Sequence, residues 1–275
     1  MKVQRSLISG SIGLGLFVVA SPAFADCPSP LPSFSHLQSA LRSAVGAASN
    51  GGLGFNMWAT VVTVDGTVCA VAFSGSNFTS QWLGSRVISA QKANTANAFS
   101  LTSTPSTSLF SGQGLALSTA NLYSAVQPGG SLYGLQHSNP VDTEVAYQDA
   151  EGGVVSASLF GTSSDPMVGR RIGGVNVFGG GLGLYGPGGE KVGGLGVSGD
   201  TSCTDHMVAW RVRHALNLDH MSNIAGVSGD KTRPDNIIFD IKPNPDGGTG
   251  VSAGGFGHAT CLNPPDPSTL PKVTG

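Results

Sequence analysis

Charge is the scarcest commodity in this chain. Asp, Glu, Lys and Arg make up only 11% of 275 residues, about half the usual share. No basic stripe or cluster appears, which argues against nucleic acid or an acidic membrane surface as a partner. Aromatics are also few, at 7%. Beyond the first 25 residues no stretch is apolar enough for a bilayer span. There is no G-x-x-x-x-G-K-[ST] loop to cradle a nucleotide phosphate. No C-x-x-C-H motif occurs either.

The start of the chain reads as an export address, residues 1–25. Lys2 and Arg5 give a basic lead, Leu7 to Ala20 an apolar run, and Ala23-Phe24-Ala25 a small-residue cleavage signature. Cleavage is expected after Ala25, leaving a periplasmic or secreted protein. Without Lys2 and Arg5, 12 basic residues face 16 acidic ones, a net charge of −4. Four cysteines, Cys27, Cys69, Cys203 and Cys261, follow the cleavage point. An even number in an oxidising compartment favours disulfides. Three pairings are open; Cys27–Cys69 and Cys203–Cys261 are preferred, because each ties a terminal segment to the body.

Glycine is what the chain has in abundance, 41 residues. Helical spacing runs from Phe34 to Ala48, with Leu37, Leu41, Ala44, Val45 and Ala48 on one face. Met57–Val64 and Thr67–Phe73, joined by Asp65-Gly66, predict a β-hairpin. Arg86–Phe99 is helix-like and free of Gly and Pro. Leu115–Val126 suggests a short second helix. Residues 136–171 lack a period and read as an insertion, with one hairpin near Gly152-Gly153. Val175–Tyr185 and Lys191–Val197, turned by Pro187-Gly188-Gly189-Glu190, predict a second hairpin. Thr204–Leu218 is the last helix, with Thr204 as its N-cap. Residues 26–220 are expected to form one α+β domain of antiparallel sheet and covering helices, and residues 221–275 a Pro/Gly-rich extension.

Four stretches then acquire meaning together. They are Ser89-Ala90-Gln91-Lys92-Ala93-Asn94-Thr95-Ala96, Pro128-Gly129-Gly130-Ser131-Leu132-Tyr133-Gly134-Leu135, Ile172-Gly173-Gly174-Val175-Asn176-Val177, and Val192 to Asp200. In order and spacing they resemble the HbpS/GlcG haem-binding, haem-degrading family, which is related to the C-terminal domain of some cobalamin adenosyltransferases. The similarity covers about Phe34 to Leu218. Asn176 stands where the family usually has proline. The resemblance implies a profilin-like fold, a five-stranded antiparallel sheet between helical layers (α/β/α), and a homo-oligomer. It implies haem as a bound cofactor, with haem degradation as the activity the family adds. The alternatives are a non-catalytic binder of a small carboxylate metabolite, or an accessory oligomer. No catalytic residue is assigned.

Candidate ligand contacts follow from side-chain chemistry. Lys92, on the helical side shared by Ile88, Thr95 and Phe99, would meet a carboxylate such as a haem propionate; a snorkelling surface lysine is the plain alternative. Phe99 and Tyr133 offer flat apolar contact, or belong to the core. Gly173 and Gly174 would let backbone amides approach an anion, or simply turn the chain. His206 and His214 recur on one helix with Trp210 between them and form a weak metal or haem edge. Cys203-x-x-His206 and His258-x-x-Cys261 mirror each other at zinc-like spacing, although the Cys203–Cys261 disulfide is the simpler outcome. Gly194 to Gly199 matches G-x-G-x-x-G outside any βαβ unit, and Gly250-Val251-Ser252-Ala253-Gly254 matches a hydrolase elbow without its strand and helix. Both are read as turns or strand ends.

Overall fold

The computed structural model describes residues 27–248 and 250–275; the export address lies outside them. Helix α1 (Phe34–Val45) starts where the Ser33 hydroxyl accepts the His36 N–H, and buries Leu37, Ala40, Leu41 and Ala44. Strands β1 (Trp58–Thr63) and β2 (Val68–Phe73) form the expected hairpin, paired from Trp58↔Phe73 to Val62↔Val68. Helix α2 spans Ser85–Phe99. Strands β3 (Gly181–Tyr185) and β4 (Lys191–Ser198) form the second hairpin, and helix α3 covers Ser202–Ala215. The α3 cap is Thr201, whose hydroxyl accepts the Thr204 N–H, rather than Thr204 itself.

The sheet is antiparallel, in the order β2-β1-β4-β3. Alternation along each strand sorts its side chains. Ala59, Val61, Leu182, Leu184, Leu195 and Val197 join α1 and α3 in one apolar core. Trp58, Val62, Val68 and Val71 join Val87, Ala90 and Ala93 of α2 in another. The result is a mixed α/β body with helices on both faces of an antiparallel sheet.

Among the described residues this sheet has four strands, where the family resemblance implies five. The outer edge of β2 is met by the chain at Gly169–Arg171, through the Val68 N–H to Arg170 O (2.9 Å) and the Gly169 N–H to Val68 O (2.8 Å). That contact amounts to the single bridge Thr67↔Arg171 before the chain turns away.

Glycine lets α2 lie directly on the sheet. A Cβ on Gly196 would sit 1.9 Å from the Ser89 carbonyl oxygen, and one on Gly194 2.3 Å from that of Ala93. Side chains at these two positions would push the helix off the strand.

Other expectations need correcting. Leu115–Val126 is not one helix but two single turns, Thr119–Leu122 and Ser124–Val126, the first begun by a reciprocal Ser118–Asn121 cap. Val175–Gly180 does not pair as strand; β3 begins at Gly181. The insertion carries short helices at Leu135–Ser138 and Thr143–Tyr147 and one bridge, Gln148↔Val154, around Gly152-Gly153.

Candidate functional site

Three of the four family-like stretches, apart in sequence, meet at one end of α2. The Thr95 hydroxyl donates to Gln91 O (2.8 Å) and accepts the Asn176 N–H (2.9 Å). The Asn94 amide donates to Gly174 O at 2.9 Å. Gly173 and Gly174 adopt φ of 60° and 76°, left-handed backbone that favours glycine. The Val175 N–H reaches Asn139 O (3.2 Å), and the Asn139 side-chain amide reaches Leu135 O (2.9 Å). Phe99 is half-buried among Leu117, Leu122, Val126, Leu135, Val175 and Val177. In the loop just before Leu135, Tyr133 is 63% exposed and Leu132 also reaches solvent. His137 is exposed on the adjoining short helix. The Asn176 side-chain oxygen is buried with no partner among the described residues.

Lys92 lies elsewhere. It is fully buried, and its ammonium donates to Asp205 Oδ2 (2.7 Å) and Val197 O (3.0 Å), 4.7 Å from the centre of the Phe178 ring. Burial pulls the lysine pKa down, and burial pushes Asp205 up to about 6 against the pull of Lys92. The ammonium expected to meet a ligand carboxylate thus meets a carboxylate of its own chain. Sequence spacing gave no sign of this, because the partner is 113 residues on.

His206 and His214 are not brought together. His206 is buried, its Nε2 accepting the Ile237 N–H at 3.1 Å and facing Asn236 Oδ1 at 3.3 Å; its Nδ1 has no partner among the described residues. His214 is part-exposed and paired through Nδ1 with Asp219 at 2.7 Å. The two rings, eight residues apart on α3, are each held by different partners. Arg213, beside His214, is wholly buried in a two-pronged pair with Asp235 (2.6 and 2.8 Å).

Both preferred disulfides, Cys27–Cys69 and Cys203–Cys261, are formed. Around the second stands His258, buried, with Nδ1 donating to Ala259 O (2.7 Å) and Nε2 3.2 Å from Ser202 Oγ. Burial pushes both His206 and His258 down to about 4. Ser252, of the elbow-like motif, sits in the two-residue strand Val251–Ser252 paired with Ile241–Lys242, and its hydroxyl donates to Asp240 (2.7 Å). A cavity of about 400 Å³ opens between this tail hairpin and the Pro128–Ser131 loop.

No family model and no curated protein matches the chain. Among solved structures, a Klebsiella pneumoniae protein, ORFY, of family model DUF336, is 19% identical over 67% of this chain and 90% of its own, with a TM-score of 0.41. The PduOC:heme complex is 25% identical over 68% of this chain and 96% of its own, with a TM-score of 0.41.

Proposed function

We propose that this protein binds haem outside the cytoplasm, on the face formed by Phe99, Tyr133, Gly173 and Gly174. What supports this is the convergence of three separated stretches, each carrying the family-like pattern, on a single surface. The residues there suit the group. Haem asks for flat apolar contact and a donor to iron. Leu132 and Tyr133 are exposed just before Leu135, which packs in the Phe99 cluster, and His137 two residues on offers an imidazole. Thr95 holds the Asn176 segment in place beneath. Lys92 acts from inside, by fixing Val197 and Asp205 rather than by touching the ligand. A carboxylate-binding role centred on Lys92 loses its basis, since that charge is already paired. Two disulfides suit an oxidising compartment. In this reading a second copy of the chain covers the exposed aromatic face, and breakdown of the bound haem needs an added reductant and oxygen.

Hemin titration tests the proposal. The purified chain is expected to give a saturable Soret shift, weakened at least tenfold by Tyr133→Ala and by His137→Ala. No Soret shift in the parent chain would overturn haem binding. Size-exclusion chromatography with and without hemin reads the oligomer. Loss of the Soret band on adding a reductant in air reads degradation.

A further inference from the structure

The seam between α3 and the tail carries donor atoms that the haem reading does not use. Cys203 and Cys261 bring their sulfurs, and His258 a ring nitrogen, within 4.8 Å of one another. Among the described residues this is the one such group of three. From it we infer that reduction of the Cys203–Cys261 bond turns this seam into a Cys2His site for a thiophilic d10 cation such as zinc.

The imidazole is already set for the role. Its Nδ1–H is committed to Ala259 O, so the lone pair lies on Nε2, the nitrogen nearer Ser202. The one backbone donor to Nε2, Gly179 N–H, is distant at 3.4 Å. Ser202 Oγ stands 3.2 Å from Nε2 and 3.5 Å from Cys261 Sγ, where an oxygen would fill a fourth position. Tetrahedral zinc asks its sulfurs to stand about 3.7 Å apart, so the two must separate after reduction. Cys203 lies in the first turn of α3, and its N–H donates to Cys261 Sγ at 3.2 Å. The positive end of the helix and this donor both favour thiolate. His206, the fourth ligand suggested by sequence spacing, is not among the donor atoms gathered within 4.8 Å, and Ile237 and Asn236 engage its Nε2.

The chemistry balances. A dithiol attacks the partly exposed Cys261 sulfur, Cys203 leaves as the helix-stabilised thiolate, and the dithiol ends as its own disulfide. Two electrons and two protons reach the cysteines, and the incoming cation displaces those protons. The tail would then exchange a covalent tether for a metal one.

Cobalt(II) is the probe, added to the full-length protein without hemin, before and after reduction with a phosphine, which is itself oxidised to the phosphine oxide. Expected is one cobalt per chain after reduction only, with thiolate-to-cobalt charge transfer and tetrahedral d–d bands, displaced by zinc. His258→Gln should weaken cobalt at least tenfold, while His214→Ala leaves it unchanged. Zinc should also restore protease resistance to residues 221–275 in the reduced protein. Absence of the bands, or full affinity in His258→Gln, overturns the inference. Because circular dichroism follows each variant, the comparison is made on folded protein; if His258→Gln does not fold, Ser202→Ala takes its place and must alter the d–d bands, unaltered bands again overturning the site.

Discussion

Residues 27–220 and residues 221–275 are held in place by different physics. The first region folds around apolar side chains, layered on both faces of the sheet. The second contributes few, Ile237 and Leu270 among them. It is instead pinned by directed bonds. Asp235 grips Arg213, Asn121 donates to Asn236 O (3.0 Å), and Ile237 N–H meets His206. Trp210 donates to Pro271 O (3.0 Å), and Thr274 to Asp219 (2.9 Å). A segment too poor in hydrophobic residues to build a core can still be ordered when its polar groups are paired in a dry seam. The cost is brittleness, since each buried partner left alone carries a desolvation penalty.

The sharpest way to break this contrast is Asp235→Ala. It leaves Arg213 buried, with its Nε already lacking a partner among the described residues. A loss of about 3–5 kcal/mol is expected in chemical denaturation. Limited proteolysis should cut within 221–275 before it reaches the sheet. Cutting in the sheet first would mean the two regions do not separate.

Acid is the next probe, because His206 and His258 both lie on the seam. Each has a folded pKa near 4, below its unfolded value. Each therefore adds stability that is present above pH 6.5 and is lost as pH falls toward 4. That is on the order of 3 kcal/mol apiece. Asp205 works the other way: its raised pKa, about 6, returns stability over part of the same window. The net expectation is a loss on the order of 3 kcal/mol between pH 7 and 4, read by urea titration at several pH values. His206→Gln should remove most of that net loss, since the remaining His258 loss is nearly offset by Asp205.

The smallest effect belongs to the body. Thr201→Ala removes the hydroxyl that caps α3 and should cost about 1 kcal/mol by thermal melting. Tail protease resistance should stay unchanged.

The body was the legible part of the sequence. Asp65-Gly66 between two β-rich runs marked the first hairpin, and the Gly- and Pro-free run marked α2. Both signals are local, and the structure keeps them within a residue or two. The tail and the site depend on partners far along the chain. Nothing in the helical pattern around Lys92 points to Asp205, nor in the α3 pattern to Asp235 and Ile237. The parallel contact of Gly114–Leu115 with Ile224–Ala225 is two residues long, too short to show a period. Cysteine was the exception among distant contacts: four residues left three pairings, and the preferred one is formed. The last-helix histidines were less legible, because equal spacing on a helix says nothing about the distant partner each ring meets.

Where Gly194 and Gly196 touch α2, backbone meets backbone with no side chain between them. Such a contact has no rotamers to rearrange and no slack to take up. α2 and β4 are therefore expected to move as a single girder. Any adjustment to an arriving partner has to happen at the ends of that girder, in the loops beyond Phe99 and around Gly173. Amide exchange should show this as a stretch of α2 and β4 that opens last and together.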